Sequence, residues 1–106
     1  MTVVWTRQAR ARLAAIEDYI AQDDPEAAAR WTNRLVQRTK ALGAFPESGR
    51  RIPERATSLL REVVVGNYRI VYRVGAKRIE VLTVFEGHHL LPSEDLPLDD
   101  LPSDEG

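Results

Sequence analysis

Four side chains in this 106-residue sequence have the types needed for acid–base chemistry: Glu54, Arg69, His88 and His89. A carboxylate can take a proton and a guanidinium can hold a phosphate. An imidazole titrates near neutrality and can return a proton to a leaving group. A plainer assignment makes Glu54 a loop carboxylate, Arg69 a cation for acidic groups, and the histidines solvated residues at a strand end. As metal ligands, His88 and His89 lack company: the sequence holds no third histidine and no cysteine. Neither a metal site nor a cofactor is therefore expected.

The arginines form a second group. Arg50, Arg51, Arg55 and Arg61 cluster around a loop and the strand that follows it, and Arg69 and Arg73 stand on the next strand. Together they predict a basic groove across a sheet. Arg30, Arg34 and Arg38 fall at i, i+4 and i+8 on one helix face, where Glu26 partly neutralises them. The net charge of −1 conceals an asymmetry. Residues 92–106 carry six acids and no Lys or Arg, so fifteen basic and ten acidic residues remain in 1–91. A body of +5 predicts an acidic partner, either nucleic acid or an acidic protein segment.

These residues need elements to hold them. Val3, Val4 and Trp5 are β-prone, and Thr6 can cap a helix in which Ala9, Leu13, Ile16 and Ile20 share a face. Asp24-Pro25 starts a second helix, with Asp as cap and Pro at the first helical position. Ala28, Trp31, Leu35 and Leu42 line its apolar face, and Gly43 and Pro46 end it. Residues 45–54 read as a loop rich in Pro, Gly and charge. Strands follow from Leu60 to Val65, Tyr68 to Val74 and Ile79 to Phe85, with Gly66-Asn67 as a two-residue hairpin turn. Tyr68, Ile70 and Tyr72 alternate with Arg69, Val71 and Arg73, so Arg69 faces away from the helices. Its removal is expected to leave the fold intact. Trp5, Trp31, Tyr68 and Tyr72 are assigned to packing.

The order β-α-α-β-β-β defines an α+β domain: a helical hairpin on one side of a small, mainly antiparallel sheet. After Leu91 the composition changes. Leu91-Pro92, Leu96-Pro97 and Leu101-Pro102 recur every five residues, each followed by acids. Prolines at this spacing exclude a regular helix, and the charge opposes collapse. The expected organisation is one domain over 1–91 and a disordered acidic tail over 92–106. No apolar run approaches the ~18 residues of a membrane span, and the N-terminal residues lack the pattern of a secretory leader. With no cysteine, a reducing cytoplasm is the simplest setting.

Several stretches resemble the ParE/RelE superfamily of type II toxins, known for plasmid stabilisation. Trp5-Thr6 before an Ala-rich helix, Asp24-Pro25-Glu26-Ala27-Ala28, and Phe45-Pro46-Glu47-Ser48-Gly49-Arg50 followed by Pro53-Glu54 all fit. The most specific run is Arg61-Glu62-Val63-Val64-Val65-Gly66-Asn67-Tyr68-Arg69-Ile70-Val71-Tyr72-Arg73-Val74, which looks like the family's strand–turn–strand signature. The resemblance covers residues 3–91 and is strongest to the ParE-like branch. It implies a toxin that inhibits DNA gyrase by binding and is neutralised by a cognate antitoxin, as a homodimer or a hetero-oligomer with that antitoxin. The alternative it implies is a RelE-type endoribonuclease cleaving mRNA on the ribosome. Glu54 would then be the base, Arg69 the phosphate cation, and a histidine (His88 or His89) the acid. For the binding activity it implies a contact surface of Arg50, Arg51, Arg61, Arg69, Arg73, His88 and His89. One segment departs from the pattern. In Phe85-Glu86-Gly87-His88-His89, Glu86 stands where ParE-like toxins commonly place a histidine, and His89 stands near the usual arginine.

Overall fold

In the structure, a computed structural model that describes residues 1–55 and 57–97, the chain begins with strand β1 (Thr2–Trp5). Helices α1 (Arg7–Ala21) and α2 (Pro25–Lys40) follow. Both helices start as the sequence predicts. Thr6 Oγ1 accepts from the Ala9 amide at 3.1 Å, and Asp24 Oδ1 accepts from the Ala27 amide at 3.1 Å, ahead of Pro25. Each cap satisfies a backbone donor that the helix leaves open. None of the described helices is long and apolar enough to cross a membrane.

Past α2 come β2 (Arg50–Arg51), β3 (Arg61–Val65), β4 (Tyr68–Val74) and β5 (Arg78–Glu86). The sheet order is β1-β5-β4-β3-β2. β1 runs parallel to β5 and the other pairs are antiparallel. The expected α+β architecture is therefore present, with one addition. β2 lies inside the segment expected to be loop, pairing Arg50 with Glu62 and Arg51 with Arg61. Two residues are too few to display a period of two, which is why the pattern did not reveal them. Gly66 takes φ of 58° in the β3–β4 turn, where Val65 pairs with Tyr68. Glycine at the first position of a two-residue turn suits the twist of the flanking strands.

The sheet has two unlike faces. Toward the helices, Ala9, Leu35 and Leu42 pack on Val63, Val65, Ile70, Tyr72, Ile79, Val81 and Val84, with Leu13, Ile16, Ile20 and Trp31 against them. Each such fully buried aliphatic chain contributes about 1.5–3 kcal/mol. Tyr72 reaches the edge of this core, where its hydroxyl donates to the Pro46 carbonyl at 2.7 Å and accepts from the Gly49 amide at 3.0 Å. The far face holds a smaller cluster of Ile52, Leu60, Val71, Leu82, Phe85 and Leu96. A bulge in β5 makes this possible. Thr83 pairs with Val71 and Val81 with Tyr72, so Leu82 is the extra residue and turns into the far-side cluster.

Packing continues past residue 91. Residues 92–97, which composition assigns to the expected tail, lie against the sheet. Leu96 is buried in the far-side cluster, and Asp95 accepts from Arg12 Nε at 2.7 Å and from Thr83 Oγ1 at 2.9 Å. Glu94 adds a 2.8 Å bond to Arg12. The apolar side chains at 91 and 96 outweigh the charge between them, because the exposed far face of the sheet offers them cover. The remaining expected tail, 98–106, lies outside the described residues.

Candidate functional site

The turn Gly66-Asn67 fixes the β3–β4 register, and the register builds the site. Glu62 stands opposite Val71, and Arg69 stands opposite Val64 on the same far face, one diagonal step from Glu62. Arg50 on β2 stands directly opposite Glu62. The Glu62 side chain is 0% exposed and lies between the two arginines. It accepts from Arg50 Nε at 2.8 Å and from Arg69 Nε at 2.8 Å, and the Arg69 Nη2 group bonds to it as well. Arg69 then forks outward to Glu54. Nη1 donates to Oε2 at 2.7 Å and Nη2 to Oε1 at 2.7 Å, the bidentate geometry a guanidinium favours. The guanidinium also lies 5.0 Å over the Phe85 ring. A single 3₁₀ turn, Pro53–Arg55, presents Glu54 to it.

The electrostatics follow the contacts. Hydrogen bonds from Arg69 hold the Glu54 carboxyl below the usual carboxylate range. Hydrogen bonds to Glu54, then to Glu62, raise the proton affinity of Arg69 above that of a free guanidinium. Arg69 is 12% exposed and is the hinge of a closed ionic chain, Arg50–Glu62–Arg69–Glu54.

Of the four acid–base residues expected from sequence, three share a depression of about 440 Å³. Glu54, Arg69 and His89 line it with Arg55, Gly87, Leu90, Leu91 and Ser93. His88 does not line it. With His89 and Glu86 it borders a second cavity of about 460 Å³, between α1 and the end of β5, whose walls include Arg12, Ile16, Tyr19 and Tyr68.

The predicted arginine groove is divided. Pairing places Arg50, Arg69 and Arg73 on the far face and Arg51 and Arg61 on the other. Arg73 bonds Glu80 at 2.9 Å and Arg61 donates to the Gly49 carbonyl at 2.7 Å. Arg51 is exposed. Arg55, only 9% exposed, has a buried Nη1 that meets no hydrogen-bond partner among the described residues. On α2, Arg34 lies 4.5 Å over the Trp31 ring.

Sequence reasoning missed Glu62. The signal was present: once the two-residue turn sets the register, the acid at 62 falls diagonal to the arginine at 69. It also missed Glu86 as a companion of the histidines. Glu86 Oε2 lies 3.0 Å from His88 Nε2 and 3.9 Å from His89 Nε2.

A hairpin of helices on one face of a five-stranded mixed sheet is a fold shared with chains of solved toxin–antitoxin systems. Residues 3–90 match the family model described as the ParE toxin of the type II toxin–antitoxin system parDE, and the chain belongs to that family. Among named relatives, Y4kP of Sinorhizobium fredii, provisionally designated a toxin, is 42% identical over 90 residues, 83% of this chain and 90% of that protein. Toxin RelE2 of Caulobacter vibrioides is 43% identical over 83 residues, 77% of this chain and 90% of the relative. A solved chain of the chromosomal ParDE system from P. aeruginosa superposes with a TM-score of 0.67 at 29% identity, covering 81% of this chain and 95% of the other. A chain of the RelBE2 toxin–antitoxin complex from Mycobacterium tuberculosis superposes with a TM-score of 0.56 at 22% identity, covering 80% and 95%, a likeness of fold.

Proposed function

We propose that this protein inhibits DNA gyrase by binding it, without chemistry of its own, and that a cognate antitoxin neutralises it in the cytoplasm. The observation that carries this reading is the ionic chain. Four of the five N–H donors of Arg69 are committed to Glu54 and Glu62, which leaves one for a phosphate. A carboxylate whose proton affinity is lowered by a bidentate guanidinium is a poor general base at neutral pH. Binding to a target requires shape and charge but no general base.

The antitoxin is expected to present an acidic, partly helical segment, because the body is basic. Its contact surface includes the exposed Arg51 and the groove between α2 and β3, where Arg34, Arg38 and the exposed Val64 lie together. Affinity should fall with added salt, since screening weakens charge steering. An affinity equal at low and high salt contradicts this account.

RelE-type mRNA cleavage is the second reading, favoured by the similarity to Toxin RelE2 and by the depression that Glu54, Arg69 and His89 share. Purified protein assayed for gyrase supercoiling and for ribosome-dependent mRNA cleavage separates the two. Inhibition of supercoiling without mRNA cleavage is the expected result. The combined variant Glu54→Gln, His88→Ala, His89→Ala tests it in cells. It should retain growth inhibition, whereas loss of a general base and acid would cut a ribonuclease by ~100-fold or more. mRNA cleavage that the variant abolishes would overturn the gyrase assignment.

A further inference from the structure

Two exposed histidines follow the last strand, and the fold brings a carboxylate to them. Glu86 ends β5, and the next residues turn at once. The His89 amide donates to the Glu86 carbonyl at 3.0 Å, closing a turn that sets residues 86, 88 and 89 side by side. The Gly87 amide donates to the Asn67 carbonyl at 2.7 Å and pins the turn to the β3–β4 hairpin. One ligand atom from each of Glu86, His88 and His89 lies within 4.8 Å of the others. The imidazole rings meet edge to face with centroids 4.5 Å apart.

We propose that Glu86, His88 and His89 form a binding site for a divalent late transition-metal ion, of which zinc is the representative probe. Zinc bonds imidazole nitrogen at about 2.0–2.1 Å and carboxylate oxygen at about 2.0–2.2 Å, so neighbouring ligand atoms of a tetrahedral site stand roughly 3.3–3.4 Å apart. The two distances from Glu86 Oε2, 3.0 and 3.9 Å, bracket that value. The imidazoles are 71% and 63% exposed, so small rotations bring all three atoms onto an ion without disturbing the core. Two nitrogens and one oxygen suit a borderline cation. Magnesium and calcium prefer shells of oxygen alone.

Three protein ligands leave the fourth position open, and in the free protein water takes it. The ion would sit at the rim of the cavity that Arg12, Ile16, Tyr19 and Tyr68 line. It also reverses the local charge, because a dication added to the carboxylate of Glu86 takes the local sum from negative to positive. This site is independent of the gyrase reading, and its test needs no activity assay.

Isothermal titration of the untagged chain with zinc sulfate in chelator-treated buffer at about pH 7.5 provides that test. The expected result is one ion per chain with a dissociation constant on the order of micromolar. His88→Ala, His89→Ala and Glu86→Gln should each weaken binding by at least ~10-fold, the lower bound seen when only a residue behind the ligands is changed. Magnesium should give no heat. Absence of saturable zinc binding below ~0.1 mM would overturn the site. So would undiminished binding in the His88→Ala, His89→Ala double variant, or equal heat from magnesium.

Discussion

The helix-covered face of the sheet and its far face are held by different physics. On the first, Leu35, Ile70, Tyr72 and Val81 are fully buried among apolar neighbours, and each gains from leaving water. On the second, Val71 and Phe85 share the surface with Glu62, which is equally buried but charged, and with the arginines that enclose it. Burying the carboxylate costs several kcal/mol, and its partners offset that cost only while both are present. The helix side therefore degrades gradually when trimmed. The far side fails when one charge is left alone, although its exposure and its position opposite the helices mark it as the surface on which change should matter least.

The largest expected effect follows from that asymmetry. Arg69→Ala strips Glu62 of one of two cations and releases Glu54, and it should destabilise the fold by about 3–5 kcal/mol in urea unfolding. The sequence alone had Arg69 removable without harm to the fold, because alternation showed which face it occupied but not what it touched. The double variant Glu62→Leu, Arg69→Met should recover most of the loss, since replacing a buried ion pair with apolar groups of similar volume is often neutral. A double variant no better than the single one would show that the charges themselves are required.

A smaller effect is expected on the helix side. Ile70→Val removes one methylene from the core and should cost about 0.5–1.5 kcal/mol, with the denaturant slope unchanged. If Ile70→Val proved more damaging than Arg69→Ala, the contrast between the faces would be wrong.

The smallest effect concerns pH. Glu54 binds its proton less readily in the folded chain than in the unfolded one. Its contribution is therefore complete above the unfolded carboxylate value, about 4.3, and is lost as pH falls through the lower folded value. Stability should decline below about pH 5, and Glu54→Gln should decline less steeply over that range. Parallel acid profiles for the two proteins would mean that the Glu54–Arg69 contact adds nothing.

Much of this molecule was legible from local pattern. Thr6 and Asp24 announced the helix starts, the spacing of Ala9, Leu13, Ile16 and Ile20 gave the face of α1, and Gly66-Asn67 gave the hairpin. What stayed hidden depends on contacts between distant residues. β2 is too short to carry a period. Leu96 reads as part of an acidic, proline-punctuated stretch until the bare far face of the sheet is there to receive it. Glu62 looks like one acid within a strand until Arg50 arrives from β2 and Arg69 from β4. Glu86 joins the histidines only through the turn that closes behind it.

The parallel pairing of β1 with β5 has a consequence for how the chain assembles. β3, β4 and β5 are joined by short turns, and their pairings form between near neighbours in sequence. β1 instead joins a strand 76 positions away, as Thr2 meets Arg78. Closing so long a loop costs entropy before any contact returns it. We expect β1 to dock last, onto an already formed meander. Substitutions such as Val3→Ala should then speed unfolding while leaving the folding rate almost unchanged, a ratio near zero in stopped-flow kinetics. A large slowing of folding would reverse the order. During synthesis this late closure means that no complete toxin exists until β5 has left the ribosome.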